Sequence, residues 1–159
     1  RDGGGITPDV TIEGHDYSRL TYSLVYSGII QEYALDYVRS HDSAEEDFHL
    51  ADKDWDGFVA FAKTKEFDYR SSAKTYFDRM KKELEKDGLS KNMSAELDAL
   101  QKALEMDKET FLKLKKDEIV PFIEEEIAVR YHFQEAGIKI RLRYDDQLKK
   151  ALASPMIEI

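Results

Sequence analysis

The sequence predicts an all-α fold: an irregular helical bundle preceded by a short extended N-terminal strap. Three observations predict it. From residue 16 onward, apolar residues recur at three- and four-residue spacing, the period of a helix with one buried face. Serine, aspartate, glycine and proline fall where those stretches start or stop. Residues 1–15 share neither habit and form a separate segment, which leaves 16–159 as the helical domain.

The strap opens with Gly3-Gly4-Gly5, which suits a closely packed loop rather than a helix. Ile6 to Ile12 is β-branched except at Pro8 and Asp9 and reads as extended. Pro8 donates no hydrogen bond, so this segment belongs at a sheet edge or pairs only after Pro8. Asp16 or Ser18 can cap a first helix holding Leu20, Leu24 and Val25, which Gly28 interrupts. Ile29 to Arg39 sets Ile30, Tyr33, Ala34, Tyr37 and Val38 on one face, and the polar His41–Leu50 stretch reads as a loop. Trp55, Phe58, Val59 and Ala62 mark a short third helix. Tyr69 to Lys86 is a fourth, with Ala73, Tyr76, Phe77, Met80 and Leu84 on its expected buried side and Asp87-Gly88 at its end. Ser94 to Leu104 follows, with Leu97, Leu100 and Leu104 in register. Asp107 can cap a helix carrying Phe111 and Leu114. Pro121 demands a kink or a fresh start, because it lacks an N–H and its ring clashes with the preceding turn. Ile123, Ile127 and Tyr131 carry the apolar face on to Gly137, and a last helix spans about 138–153, ended by Ser154-Pro155. No repeat of fixed period is visible, which argues against a solenoid.

The chain has 159 residues, enough for one domain with a core. Hydrophobic residues make up 42% and charged residues 36%, the balance of a globular domain with wide solvated faces. A net charge of -9, with both signs interleaved, argues against a nucleic-acid partner, which would require a concentrated basic surface. The densest basic run, Lys113, Lys115 and Lys116, meets Asp117 and Glu118 at once and reads as a solvated helix face. With no cysteine, disulfides, thiolate metal sites and a cysteine nucleophile are excluded. No apolar run has the length of a membrane span, and no signal peptide opens the chain. The start at Arg1, without an initiating Met, reads as a fragment of a longer protein.

The strap also carries a resemblance. Asp2-Gly3-Gly4-Gly5-Ile6-Thr7-Pro8-Asp9-Val10 resembles the Gly-Gly-Gly-Ile-x-Pro-Asp segment of the S41 peptidases, the tail-specific or C-terminal processing serine proteases. Gly3, Gly4, Gly5, Ile6, Pro8 and Asp9 are the matching positions. Tyr22 to Ile30 and Tyr33 to Val38 look like the first helices after the core in Bacteroidetes-type members. Glu124 to Tyr131 and Asp145 to Leu152 are similar to their late helices, although Glu124-Glu125-Glu126 reads equally well as the acidic first turn of an ordinary helix. In that family the glycine segment closes the protease core, downstream of a serine nucleophile and a lysine base. The resemblance therefore implies a non-catalytic C-terminal domain with no catalytic residue and no cofactor of its own. It further implies an upstream protease core and PDZ domain as partners within the parent chain, protein substrates, a possible homo-oligomer, and a periplasmic or envelope location.

Several constellations compete with that reading. Ser71-Ser72-Ala73-Lys74 has the S-x-x-K spacing of penicillin-recognising enzymes, but the required K-T-G is absent: Lys63-Thr64-Lys65 lacks the glycine. Ser71 is read instead as a residue near a helix start. Asp52-Lys53-Asp54-Trp55-Asp56-Gly57 copies the opening of a calcium loop, yet Lys63 stands where the loop needs a bidentate glutamate. An acidic helix start is the plainer reading, because aspartates complement the dipole there. His15, His41, His49 and His132 lack H-E-x-x-H spacing; His41 and His49 share the acidic loop with Asp42, Glu45, Glu46 and Asp47, where adventitious zinc is the alternative to ordinary loop histidines, and His132 reads as a half-buried packing residue. The Tyr17, Tyr22, Tyr26, Tyr33, Tyr37 series is dense enough to offer a face to the protease core. Two further functions stay open: an independent helical protein-binding module, and a calcium-responsive module at 52–63.

Overall fold

The structure is a computed structural model that describes residue 14 and residues 16–153. The strap motif, with Gly3, Gly4, Gly5, Ile6, Pro8 and Asp9, lies outside the described residues. Helix α1 (Arg19–Tyr26) begins at Ser18, whose hydroxyl accepts the Thr21 N–H at 3.3 Å. Gly28 separates it from α2 (Ile29–Ser40) in a left-handed conformation, φ 76, that a Cβ would strain. Helix α3 (Asp52–Lys63) follows the His41–Leu50 loop. Next come α4 (Ser72–Lys86), a single 3-10 turn (Ser90–Met93) and α5 (Ser94–Leu104). Asp107 caps α6 (Lys108–Leu114) by accepting the Thr110 N–H at 2.9 Å. The long α7 (Lys116–Arg143) and the short α8 (Asp146–Ala153) end the described chain. No strand occurs among the described residues, and the fold is all-α.

One core holds α1, α2, α3, α6 and α7 together. Leu20, Leu24, Ile30, Ala34, Phe58, Ala62, Leu112, Ile119, Ile123, Ile127 and Ile140 are wholly inaccessible in it. Leu20 and Leu24, Ile30 and Ala34, Phe58 and Ala62, and Ile119, Ile123 and Ile127 are i, i+4 neighbours on their helices, so the helical period explains these stripes and the stripes explain the bundle. The four apolar residues expected on α3, Trp55, Phe58, Val59 and Ala62, are all buried.

Helices α4 and α5 depart from expectation. No residue of either belongs to the core cluster; they pair with each other and form an arm, with Phe77 and Leu97 buried between them. Of the five residues expected on the buried side of α4, only Phe77 is buried. Tyr76 is 67% exposed, Met80 44%, and Ala73 is also exposed, with Leu84 half-buried. Periodicity identifies an apolar face but not what covers it, and a two-helix arm covers only a narrow line. The start of α4 also moves, from the expected Tyr69 to Ser72, because Ser71 caps it.

The end of the chain is organised differently from expectation too. Helix α7 runs through Pro121 without a break; the carbonyl deprived of a partner belongs to exposed Asp117, near the helix start. The break comes at His132 and Phe133, where backbone angles leave the helical region. Arg141 pairs with Glu125, and Arg143 and Tyr144 reach Glu124, contacts that span 16 to 20 residues. In a straight helix such positions would lie roughly 25–30 Å apart, so α7 is folded back on itself at that break. Gly137, expected as a boundary, lies inside the second limb. A Cβ there would stand 2.4 Å from Val129 Cγ2, so its bare backbone lets the limbs close. The expected 138–153 helix is in fact the end of this limb plus α8.

Candidate functional site

Two exposed aromatic residues of the body, Tyr22 and Tyr26, lie on α1. Tyr22 and Tyr26 lie four residues apart on one helix face and stack at 6.1 Å with rings 18° apart. Tyr26 is 84% exposed and Tyr22 43%. Tyr17 meets Tyr22 edge-on at 6.1 Å and Phe122 of α7 at 5.0 Å. Burial first, and then the neighbouring Tyr22 and two carboxylates, push the Tyr17 hydroxyl pKa upward. The ladder thus starts against α7 and runs outward into solvent.

Glu118 anchors this ladder. Its Oε2 accepts the Ser18 N–H at 2.8 Å and the Thr21 hydroxyl at 3.0 Å, and its Oε1 accepts from Lys115 at 2.6 Å. Burial by itself would raise its pKa, but these bonds outweigh burial and bring it from 4.5 down to about 2. One carboxylate therefore ties the N-terminus of α1 to the first turn of α7.

Tyr33 and Tyr37, expected in the same series, turn inward. Tyr33 packs edge-on to Phe58 at 5.2 Å, and its hydroxyl donates to the Asp54 carbonyl at 2.6 Å. Burial, with Asp54 nearby, pushes its pKa up to about 12. Tyr37 is half-buried and stacks on His41. The five-tyrosine series is thus split: Tyr22 and Tyr26 face outward on α1, Tyr17 is half-buried against Phe122, and Tyr33 and Tyr37 serve the core.

A second feature is a groove of about 890 Å³ at the root of the arm. Phe67, Tyr69, Leu104, Met106, Phe111 and Leu114 supply its apolar wall, with Asp68, Arg70, Lys74 and Asp107 also lining it. Lys108 sits over the Phe67 ring at 4.8 Å and donates to the Lys65 carbonyl at 2.7 Å. Such a lining suits apolar side chains.

The competing constellations resolve on geometry. The Ser71 hydroxyl is a helix cap, accepting the Lys74 N–H at 3.0 Å, while the Lys74 ammonium turns away to Asp78 at 2.7 Å. No amine is left beside the hydroxyl to activate it. Asp52 and Asp54 occupy the first turn of α3, which is helix rather than calcium loop; Asp52 pairs with Lys116, and Lys63 pairs with Glu109. Among the described residues, no three histidine or carboxylate side chains converge to hold a metal ion. The His132 ring is half-buried and its Nε2–H donates to the Ala44 carbonyl at 2.7 Å.

Glu124 is not in a first turn, since α7 begins at Lys116; it is 2% exposed in mid-helix. Its Oε1 accepts the Leu50 N–H at 2.8 Å, and its Oε2 accepts from Arg143 at 3.0 Å and the Tyr144 hydroxyl at 2.8 Å. Arg143 also donates to the Phe48 carbonyl at 3.0 Å, so the pair pins the loop before α3 to the folded α7. Its signal was available in the sequence: Glu124 falls in the stripe of Val120, Ile127, Ala128 and Tyr131. Phe133 had no such signal.

Residues 20–154 match the family described as the C-terminal helical domain of a probable PDZ-protease. No curated protein and no solved structure matches the chain. Among the described residues, no helix is long and apolar enough to cross a membrane.

Proposed function

The chain belongs to the family of C-terminal helical domains of probable PDZ-proteases, and we propose that it serves its protease by docking rather than by chemistry. In this reading the parent is an S41 serine endopeptidase that processes protein C-termini in the periplasm or envelope. The nucleophilic serine and its lysine base then lie upstream of Arg1, together with the PDZ domain. The strap resemblance at Gly3–Asp9 supports the S41 assignment, and the family match supports a protease parent.

The observation that carries the docking role is the outward ladder of Tyr17, Tyr22 and Tyr26. Large aromatic rings exposed side by side are characteristic of interfaces, where they bury much area at little entropic cost. The ladder begins at the residues by which the described chain enters α1, the side nearest in sequence to an upstream core. Docking there would fix the helical domain against the protease and let it shape the path of a substrate chain.

Tyrosine nitration tests this. Tyr26 is expected to react readily in the 159-residue chain and to be protected in the full-length parent. Equal reactivity in both would remove the docking face. A self-sufficient protein-binding module is the second reading, and the arm-root groove favours it. It would hold a partner whether or not the protease core is present.

A further inference from the structure

Phe133 carries two costs at once. Its backbone, at φ 62 and ψ -170, occupies a region that is essentially glycine's own. Its side chain is 82% exposed at the tip of the folded α7. The reversal itself explains the backbone angle, through the close contact of Gly137 with Val129. It does not explain a phenylalanine, because glycine would make the same turn without strain.

The arm-root groove is the complementary feature: an apolar recess open to solvent, walled by Leu104, Phe111 and Leu114. Leu114, itself 64% exposed, ends α6 just before α7 begins. From Lys116 to Phe133 the first limb of α7 rises about 25 Å. The knob and the recess therefore sit at opposite ends of one body, and a molecule cannot fill its own groove. The groove's own lining is mixed in charge, Asp68, Glu105 and Asp107 against Arg70 and Lys74, and the contrast between the two ends rests on three residues. Asp42 and Glu45 flank the knob on the loop that Tyr131 and His132 hold, and neither has a cationic partner among the described residues. Lys108, beside the groove, rests on aromatic rings and a carbonyl rather than on a carboxylate.

We propose that Phe133 of one copy seats in the arm-root groove of a second copy, with Asp42 and Glu45 approaching Lys108. The contact joins two different patches, so it is heterologous: one copy keeps its recess free, the other keeps its knob free, and the pair as a whole retains one of each. It goes beyond the docking role above and uses neither Tyr22 nor Tyr26, so either can fail without the other.

Sedimentation of the 159-residue chain over a range of concentrations tests it. The wild type should self-associate, and Phe133→Gly and Leu114→Lys should each weaken that association by at least about tenfold. Phe133→Gly relieves strain and Leu114 is exposed, so neither variant should unfold; circular dichroism checks that both stay helical. The decisive sample is the mixture. Phe133→Gly keeps its recess and Leu114→Lys keeps its knob, so together they should form a one-to-one dimer that neither forms alone. A wild type that stays monomeric, association unchanged by the variants, or a mixture that fails to dimerise would each overturn the proposal.

Discussion

Glu124 and Arg143 lie 19 residues apart in the same helical span, yet their side chains meet at 3.0 Å. That contact, with the Tyr144 hydroxyl at 2.8 Å, closes α7 into two limbs. It also carries the loop, since Glu124 accepts the Leu50 N–H. Replacing Glu124 by alanine leaves the Leu50 N–H without its acceptor, while Arg143 keeps Asp47 and the Phe48 carbonyl. The expected loss is about 2–3 kcal/mol of folding stability, measured by urea denaturation. Tyr144→Phe, which removes one neutral donor, should cost only about 1–1.5 kcal/mol.

The closeness of the two limbs depends on Gly137. A methyl group there collides with Val129 Cγ2, and valine on a helix has little χ1 freedom to yield. Gly137→Ala should therefore destabilise by about 1–3 kcal/mol. Val129→Ala in the same chain should recover part of that loss, so a double-mutant cycle should show favourable coupling. Purely additive effects would mean that the limbs do not touch there.

Phe133→Gly should stabilise the fold by about 1 kcal/mol, seen as a higher melting temperature, because it releases a backbone strain. Phe133→Ala should not, since alanine keeps the Cβ that makes this conformation costly.

Glu118 sets an acid limit. Its folded pKa of about 2 lies below the ordinary 4.5, so its contribution is complete above about pH 4.5 and vanishes as pH falls toward 2. At neutral pH that contribution is roughly 3 kcal/mol. The Glu118→Gln chain should accordingly be less stable at neutral pH and lose less between about pH 4.5 and about pH 2 than the wild type. Parallel stability curves for the two chains across that window would contradict the linkage.

The sequence made the body of the fold legible wherever an apolar stripe meets a second stripe. Trp55, Phe58, Val59 and Ala62 could be assigned to the core because α3 is amphipathic and the core covers it. The same pattern misled at Tyr76 and Met80, whose helix is just as amphipathic but packs on α5 and the 3-10 turn rather than on the core. Helix caps were readable at Ser18 and Asp107 because each pairs locally with the N–H three residues on. The reversal at His132–Phe133 was not, since neither glycine nor proline marks it; what holds it is long-range, through Glu124 and Arg143. For the docking face, sequence reasoning found the tyrosines but could not separate the outward Tyr22 and Tyr26 from the inward Tyr33. The groove needs two helices and a connection to exist at all, so no local pattern announced it.

The central claim is that this domain contributes surfaces to a protease and none of its chemistry. Peptidase activity toward unstructured protein C-termini tests it most directly, measured for the 159-residue chain and for the full-length parent. The account predicts no hydrolysis by the 159-residue chain, and hydrolysis by the parent that is abolished when the upstream serine is replaced. Hydrolysis by the purified 159-residue chain, lost on replacing one of its own serines such as Ser71, would contradict it.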